Sequence, residues 1–154
     1  MEECKAIVKL ASIFQAQGKN YRIITPYDAQ RSLIEEELKK AELEWGNKCF
    51  NVDSFQGEVF LMYSWLNTNG GVGNEEDYII ISLVRSMDLG FLQDKRRVNV
   101  MLTRCKRGLV IFTSKTYINK CAGSSKSLIG KLIINHYKNQ AWVEVGELET
   151  TTFL

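Results

Sequence analysis

Along the first eighteen residues, apolar side chains return every three or four positions. Ile7, Leu10, Ala11 and Phe14 keep helical step, with Glu2, Glu3, Lys5 and Lys9 set among the apolar positions and Gly18 as a stop. The pattern then changes. YRIIT (21–25) is a short apolar run ending at Pro26, which reads as a buried strand feeding a loop. Helical spacing resumes from Asp28 to about Trp45, where Gly46 and Asn47 are expected to end it. Its acidic side offers Glu35–Lys39 and Glu36–Lys40 as i,i+4 pairs on a solvated face. KCFNVD (48–53), DYIIISLV (77–84) and LVIFTS (109–114) are further strand candidates. Residues 90–108 set Val98, Met101 and Leu102 on one helical face, and SKSLIGKLIINHYKNQ (125–140) reads as a final amphipathic helix.

Short apolar strands alternating with helices predict an α/β fold, a mostly parallel sheet covered on both faces. Ligands of such sheets bind beyond the carboxyl ends of the strands. The loops after Thr25, Asp53, Val84 and Ser114 are therefore expected to share one edge, where polar residues gather.

Bulk properties narrow the picture. A chain of 154 residues suits one domain with its own core. The net charge of +2 gives no overall field toward nucleic acid or membrane, so a basic site has to be local. Cys4, Cys49, Cys105 and Cys121 are scattered and His136 is the only histidine, which argues against zinc and for reduced thiols. The amphipathic start is unlike a secretory leader, and no window holds the ~18 consecutive apolar residues of a membrane span. A soluble protein of the nucleus or cytoplasm is expected.

Three stretches carry candidate chemistry. Lys95, Arg96, Arg97, Arg104, Lys106 and Arg107 place six positive charges in thirteen residues with no acid among them. On one continuous helix Arg97 and Arg104 would project from nearly the same face, about 10 Å apart along the axis. Such a helix can be basic only for solubility, although planar guanidinium groups suit phosphate oxygens. SFQG (54–57) follows a strand, where a glycine lets backbone approach a ligand, but many turns look the same. Glu75, Glu76 and Asp77 precede another strand and read either as solubilising acids or as groups for acid–base or metal chemistry. In TPYDAQ (25–30), Pro26 makes a rigid turn, Tyr27 an aromatic platform, Asp28 an N-cap or first-turn acid, and Gln30 a neutral amide.

The order IITPYDAQR, VDSFQG, NEEDYIIISLVRS and GFLQDKRRVNVMLTRCKRGLVIF resembles the second RecA-like domain of superfamily 1 helicases of the up-frameshift and senataxin type, over roughly residues 2–140. The resemblance implies a three-layer RecA-like α/β domain of an ATP-dependent RNA or DNA helicase. It makes Arg104 the arginine finger that reaches the γ-phosphate of ATP. It sets Gly57 and Glu75 at the nucleotide, with Gln56 and Arg97 coupling that site to the nucleic-acid path. Thr25, Pro26, Tyr27, Asp53, Ser54 and Arg85 fall to the single-strand grip, which would be salt-sensitive and largely indifferent to sequence. ATP with magnesium would be held mainly by a first, P-loop-bearing RecA-like domain, normally in cis.

Two departures qualify this. The chain contains no G-x-x-x-x-G-K-[ST] stretch, so alone it is expected not to turn over ATP. The first strand usual for such a domain is also expected ahead of Met1. Further, motif V of the family runs unbroken, whereas here sixteen residues (58–73) part Gly57 from Asn74. Val59, Phe60, Leu61, Met62, Tyr63, Trp65 and Leu66 make that block strongly apolar, which suits a retained intron or a partner-binding lid. A non-catalytic module for single strands or partners, and a gene-model fragment, stay open as alternatives.

Overall fold

The computed structural model describes residues 2–52, 76–84, 90–120, 127–132 and 143–148. Helix α1 (Glu2–Ala16) leads into β1 (Tyr21–Thr25), α2 (Asp28–Lys40) and β2 (Cys49–Asn51). After β3 (Glu76–Ser82) come a 3-10 turn (Gly90–Gln93), α3 (Lys95–Leu102) and β4 (Cys105–Phe112). The short helices α4 (Lys115–Lys120) and α5 (Leu128–Leu132) and a 3-10 turn (Val145–Glu147) complete the described elements.

The four strands are all parallel and ordered β2-β1-β3-β4. From β1 the chain moves outward one way to β2, and from β3 it moves outward the other way to β4. Right-handed crossovers then require α2 and α3 on opposite faces. They are so placed. Ile34 and Leu38 of α2 join α1's Ile7, Leu10 and Phe14 in one cluster, against Tyr21, Ile23, Tyr78 and Ile80. Val98 and Met101 of α3 join Tyr117, Ile118 and Ile129 in the other, against Ile24, Ile79 and Ile81. The unbroken run Ile79-Ile80-Ile81 thus feeds both cores in alternation, and this is why it shows no polar face. The domain is the expected three-layer α/β sandwich of the RecA-like type.

Two helix ends show what local chemistry decides. Gly18 (φ 64°) closes α1 as expected, with Lys19 N–H reaching the Phe14 carbonyl (2.9 Å) and Gly18 N–H that of Gln15 (3.1 Å). Helix α2 was expected to reach Trp45 but stops at Lys40. Glu42 takes the left-handed position (φ 56°), its N–H bonding the Lys39 carbonyl while Leu43 N–H bonds that of Leu38, both at 3.0 Å. Leu43 then packs on the core containing Leu38, the apolar contact that accompanies such a cap. On the outer face Glu35 pairs with Arg31 (3.3 Å) and Lys40 with Glu37 (2.6 Å), rather than in the Glu35–Lys39 and Glu36–Lys40 pairs expected. Lys39 instead lies 3.9 Å from the Trp45 ring centroid.

Further along, α3 stops at Leu102 and β4 begins at Cys105, so Lys106 and Arg107 are strand residues. The six cations of 95–107 therefore do not share one helix. Helix α4 was not foreseen. Of the expected helix over 125–140, α5 is the described part. The interrupted motif and its 58–73 block lie outside the described residues.

Candidate functional site

Parallel strands give the sheet a carboxyl edge and an amino edge, and the candidate residues divide between them. Register places Thr25 beside Asn51, and Ser82 beside Phe112, on the carboxyl edge. The direction in which the chain steps across the sheet reverses between β1 and β3, so the crevice beyond their ends is the topological switch point.

At that crevice Thr25 is wholly buried, and its hydroxyl accepts the Tyr27 N–H at 3.4 Å. Thr25 shapes the turn from inside while Pro26 and Tyr27, both half-buried, form its outer surface. Tyr27 is the N-cap of α2, with no side-chain cap bond, which leaves Asp28 as the first-turn acid. Asp28 accepts from Asn51 Nδ2 (3.0 Å) and faces Arg31 Nε (3.6 Å), tying the loop after β1 to the end of β2. Gln30 reaches inward, and its Nε2 donates to Ser82 Oγ at 3.2 Å.

Ser82 is fully buried, and its hydroxyl donates to Glu3 Oε1 at 2.5 Å. The same carboxylate oxygen accepts the Val84 N–H at 3.3 Å. Val84 sits at φ 57°, which for a β-branched residue costs roughly 1–3 kcal/mol. Burial raises the Glu3 carboxyl above its ordinary value, against the bonds from Ser82 and Val84, which lower it.

The amino edge is different in character. Arg22 pairs with Glu76 (3.3 Å) and Arg107 with Asp77 (3.7 Å), so these two acids of the strand-leading cluster serve ion pairs. Lys19 lies over the Tyr78 ring (4.8 Å) and Lys48 over Tyr21 (4.7 Å). The buried Tyr21 hydroxyl has no hydrogen-bond partner among the described residues, and burial pushes its pKa up to about 12.

Arg104 belongs to this edge, past the end of α3. Thr103 closes that helix, its N–H and hydroxyl both bonding the Asn99 carbonyl (3.1 and 2.9 Å). The Arg104 carbonyl then accepts the Glu76 N–H at 3.1 Å, which anchors its backbone to the start of β3. Its Nε is buried and makes no hydrogen bond among the described residues. Arg97 stands at the opposite end of α3, in the first turn. Asp94 caps that turn by accepting the N–H groups of Arg96 (3.0 Å) and Arg97 (3.2 Å), and its other oxygen faces Arg97 Nε at 3.6 Å.

The structure therefore brings Thr25, Pro26 and Tyr27 together at the carboxyl edge and sets Arg104 at the amino edge, with Arg97 at the far end of α3 from Arg104. Asp53, Ser54, Gln56, Gly57, Glu75 and Arg85 lie outside the described residues. Glu3, Ser82 and Val84 escaped the sequence reading. Ser82 had a signal, a hydroxyl inside a run of buried isoleucines, which has to find a partner. Glu3 had none, since its partner lies seventy-nine positions away. Among the described residues no group of histidine, cysteine or acidic side chains could hold a metal, and no helix is long and apolar enough to cross a membrane.

Comparison with known proteins adds the family. A family model described as an AAA domain matches residues 1–116. The chain is 37% identical over 152 residues, 94% of its length, to regulator of nonsense transcripts 1 of Dictyostelium discoideum. It is 34% identical to the ATP-dependent helicase upf1 of Schizosaccharomyces pombe across 77% of the chain. Across 70% it is also 34% identical to the DNA polymerase alpha-associated DNA helicase A of Saccharomyces cerevisiae. The match covers 10%, 12% and 14% of those three proteins respectively.

Proposed function

Since the chain belongs to the up-frameshift and senataxin family of superfamily 1 helicases, we propose that it is the C-terminal motor domain of an ATP-dependent RNA or DNA helicase. The observation that supports this reading best is Arg104, anchored through its carbonyl to Glu76, with a buried Nε that makes no hydrogen bond among the described residues. In this role Arg104 is the arginine finger. ATP with magnesium supplies the phosphoryl group to be transferred. Its main holder would be a P-loop domain, because this sequence has no P-loop of its own. Arg104 would stabilise negative charge developing on the phosphoryl oxygens, an effect worth ~10³–10⁵ in rate in other phosphoryl-transfer systems. Gln56, Gly57, Glu75 and Arg97 complete the nucleotide side in this reading.

Thr25, Pro26, Tyr27, Asp53, Ser54 and Arg85 form the single-strand grip. Binding through phosphates weakens steeply with salt and carries little sequence preference. Closure of two domains on ATP would move their grips relative to each other along the strand. Alone, the chain is expected to show no useful ATPase.

The experiment joins this chain to a P-loop domain of the same family and compares wild type with Arg104→Ala. Turnover should collapse while single-strand binding stays nearly unchanged. Persistence of turnover would remove the arginine-finger role. Binding without turnover, even with the P-loop partner supplied, would instead favour a non-catalytic binding module.

A further inference from the structure

We propose that Glu3 is a positioning residue, which with Ser82 and Gln30 fixes how the chain leaves β3; the functional consequence drawn from this rests on the single-strand grip proposed above. Three elements meet at one hydroxyl. Glu3 comes from the first turn of α1, Gln30 from α2 just behind the Thr25-Pro26-Tyr27 turn, and Ser82 from the end of β3. Ser82 Oγ donates to Glu3 Oε1 (2.5 Å) and accepts from Gln30 Nε2 (3.2 Å), so it takes part both as donor and as acceptor.

The second bond to Glu3 gives the cluster a purpose beyond satisfying a buried serine. Glu3 Oε1 also accepts the Val84 N–H, which closes Ser82, Leu83 and Val84 around a single oxygen. Val84 is left-handed (φ 57°) and 45% exposed, so burial of its side chain does not account for that conformation. Nor does a glycine or asparagine supply it, as one would in an ordinary turn. The Leu83 N–H is held separately by the Phe112 carbonyl (3.2 Å), which keeps the strand in register up to the residue before the bend. The carboxylate is thus the group that holds the bend itself. The next residue in sequence is Arg85, one of the proposed grip residues. Through Gln30 the same cluster is tied to the loop bearing Pro26 and Tyr27, so one acid of α1 joins the end of β3 to that part of the grip.

The test uses the intact chain in two measurements. Hydrogen exchange of the Val84 amide reads the clamp directly. It should quicken about tenfold or more in Glu3→Ala, the equivalent of one lost charge-assisted hydrogen bond, while the Ile80 and Ile81 amides keep their protection. Glu3→Gln retains an acceptor oxygen and should keep Val84 protected. The second measurement is affinity for a short fluorescein-labelled oligouridylate. Glu3→Ala should weaken it about tenfold, and adding Val84→Gly should recover most of the loss, because glycine adopts positive φ without penalty. A structural role alone would not be rescued by a glycine.

Unchanged Val84 exchange in Glu3→Ala overturns the clamp, and a binding loss that Val84→Gly fails to mend overturns its positioning role. If the wild type binds no oligouridylate while Glu3→Ala still frees Val84, the clamp stands and the grip reading falls.

Discussion

The two edges of this sheet hold their polar groups by different means. On the carboxyl edge hydrogen bonds join one element to the next: Thr25 turns its hydroxyl to Tyr27, Asp28 takes Asn51, and Ser82 joins Glu3 to Gln30. The amino edge is built from partly exposed ion pairs, Arg22–Glu76 and Arg107–Asp77, and it leaves Arg104 Nε buried with nothing to bond among the described residues. The customary rule points to the carboxyl edge as the place for ligands. Hydrogen-bond satisfaction does not separate the edges: Arg31 Nε and Thr113 Oγ1 on the carboxyl side are buried with no hydrogen bond among the described residues, as are the Tyr21 hydroxyl and Arg104 Nε on the amino side. What differs is the means: buried side-chain hydrogen bonds hold the carboxyl edge, and partly exposed charges hold the amino edge.

The largest effect tests Arg104 on the amino edge. In the two-domain protein described above, Arg104→Lys should lose nearly as much turnover as Arg104→Ala. Lysine keeps the charge but not the planar fork, and the buried Nε has no counterpart on it. Arg107→Lys is the control on the same edge, with a side chain 69% exposed beside Asp77, and should turn over ATP as the wild type does. Equal loss in both variants would mean that net charge, not geometry, is what the amino edge offers.

On the carboxyl edge the expected effect is on stability. Ser82→Ala removes a buried hydroxyl that serves two partners, leaving Gln30 without its acceptor and Glu3 without its shortest donor. A cost of about 1–3 kcal/mol is expected in urea unfolding. A cost near zero would show that water replaces the serine, and that this edge is less closed than its hydrogen bonds suggest.

How far all this could be read from sequence follows the range of the forces involved. The layers were legible, because hydrophobic period is local: YRIIT became β1 residue for residue, and DYIIISLV fell within one position of the start of β3. The stop at Gly18 was legible because glycine announces a left-handed residue. The stop after Lys40 was not, because Glu42 adopts the same conformation with no such announcement and is paid by the packing of Leu43. The motif singled out Arg104, but its place in the fold was not legible. Seven-residue spacing suggested one helical face with Arg97, and nothing local revealed that Thr103 would end the helix and give Arg104 to the other edge. Glu3 was illegible altogether, since its meaning depends on Ser82 and Val84 being folded against it.

A smaller effect concerns pH. Burial raises the Glu3 carboxyl in the folded state, so folding favours its protonated form. Its stabilising contribution is fully present below the ordinary glutamate value of 4.5 and is lost as pH rises through the folded value. Glu3→Gln does not titrate. The stability of wild type relative to Glu3→Gln should therefore fall over the interval that begins at the ordinary value of 4.5 and ends at the raised folded one, in paired urea melts. A rise over the same interval would mean that the bonds from Ser82 and Val84 outweigh burial, and that the carboxylate is held charged.

The smallest effect belongs to the Arg22–Glu76 pair, and it bears most directly on the difference between the edges. The side chains are 25% and 23% exposed at 3.3 Å, and Arg22 also lies 5.1 Å from the centroid of the Phe50 ring. Ion pairs of this kind contribute about 0–1 kcal/mol, because Coulomb attraction is offset by solvation and by side-chain entropy. In a double-mutant cycle, Arg22→Ala and Glu76→Gln should couple by no more than that, and the coupling should shrink in high salt as the charges are screened. The cation–ring contact should survive salt better, leaving the single Arg22→Ala cost larger than the coupling. If the coupling instead exceeds the Ser82→Ala cost, the amino edge is held by its charges as firmly as the carboxyl edge by its buried hydrogen bonds. Arg104 would then stand in a rigid frame, already aimed before any partner arrives.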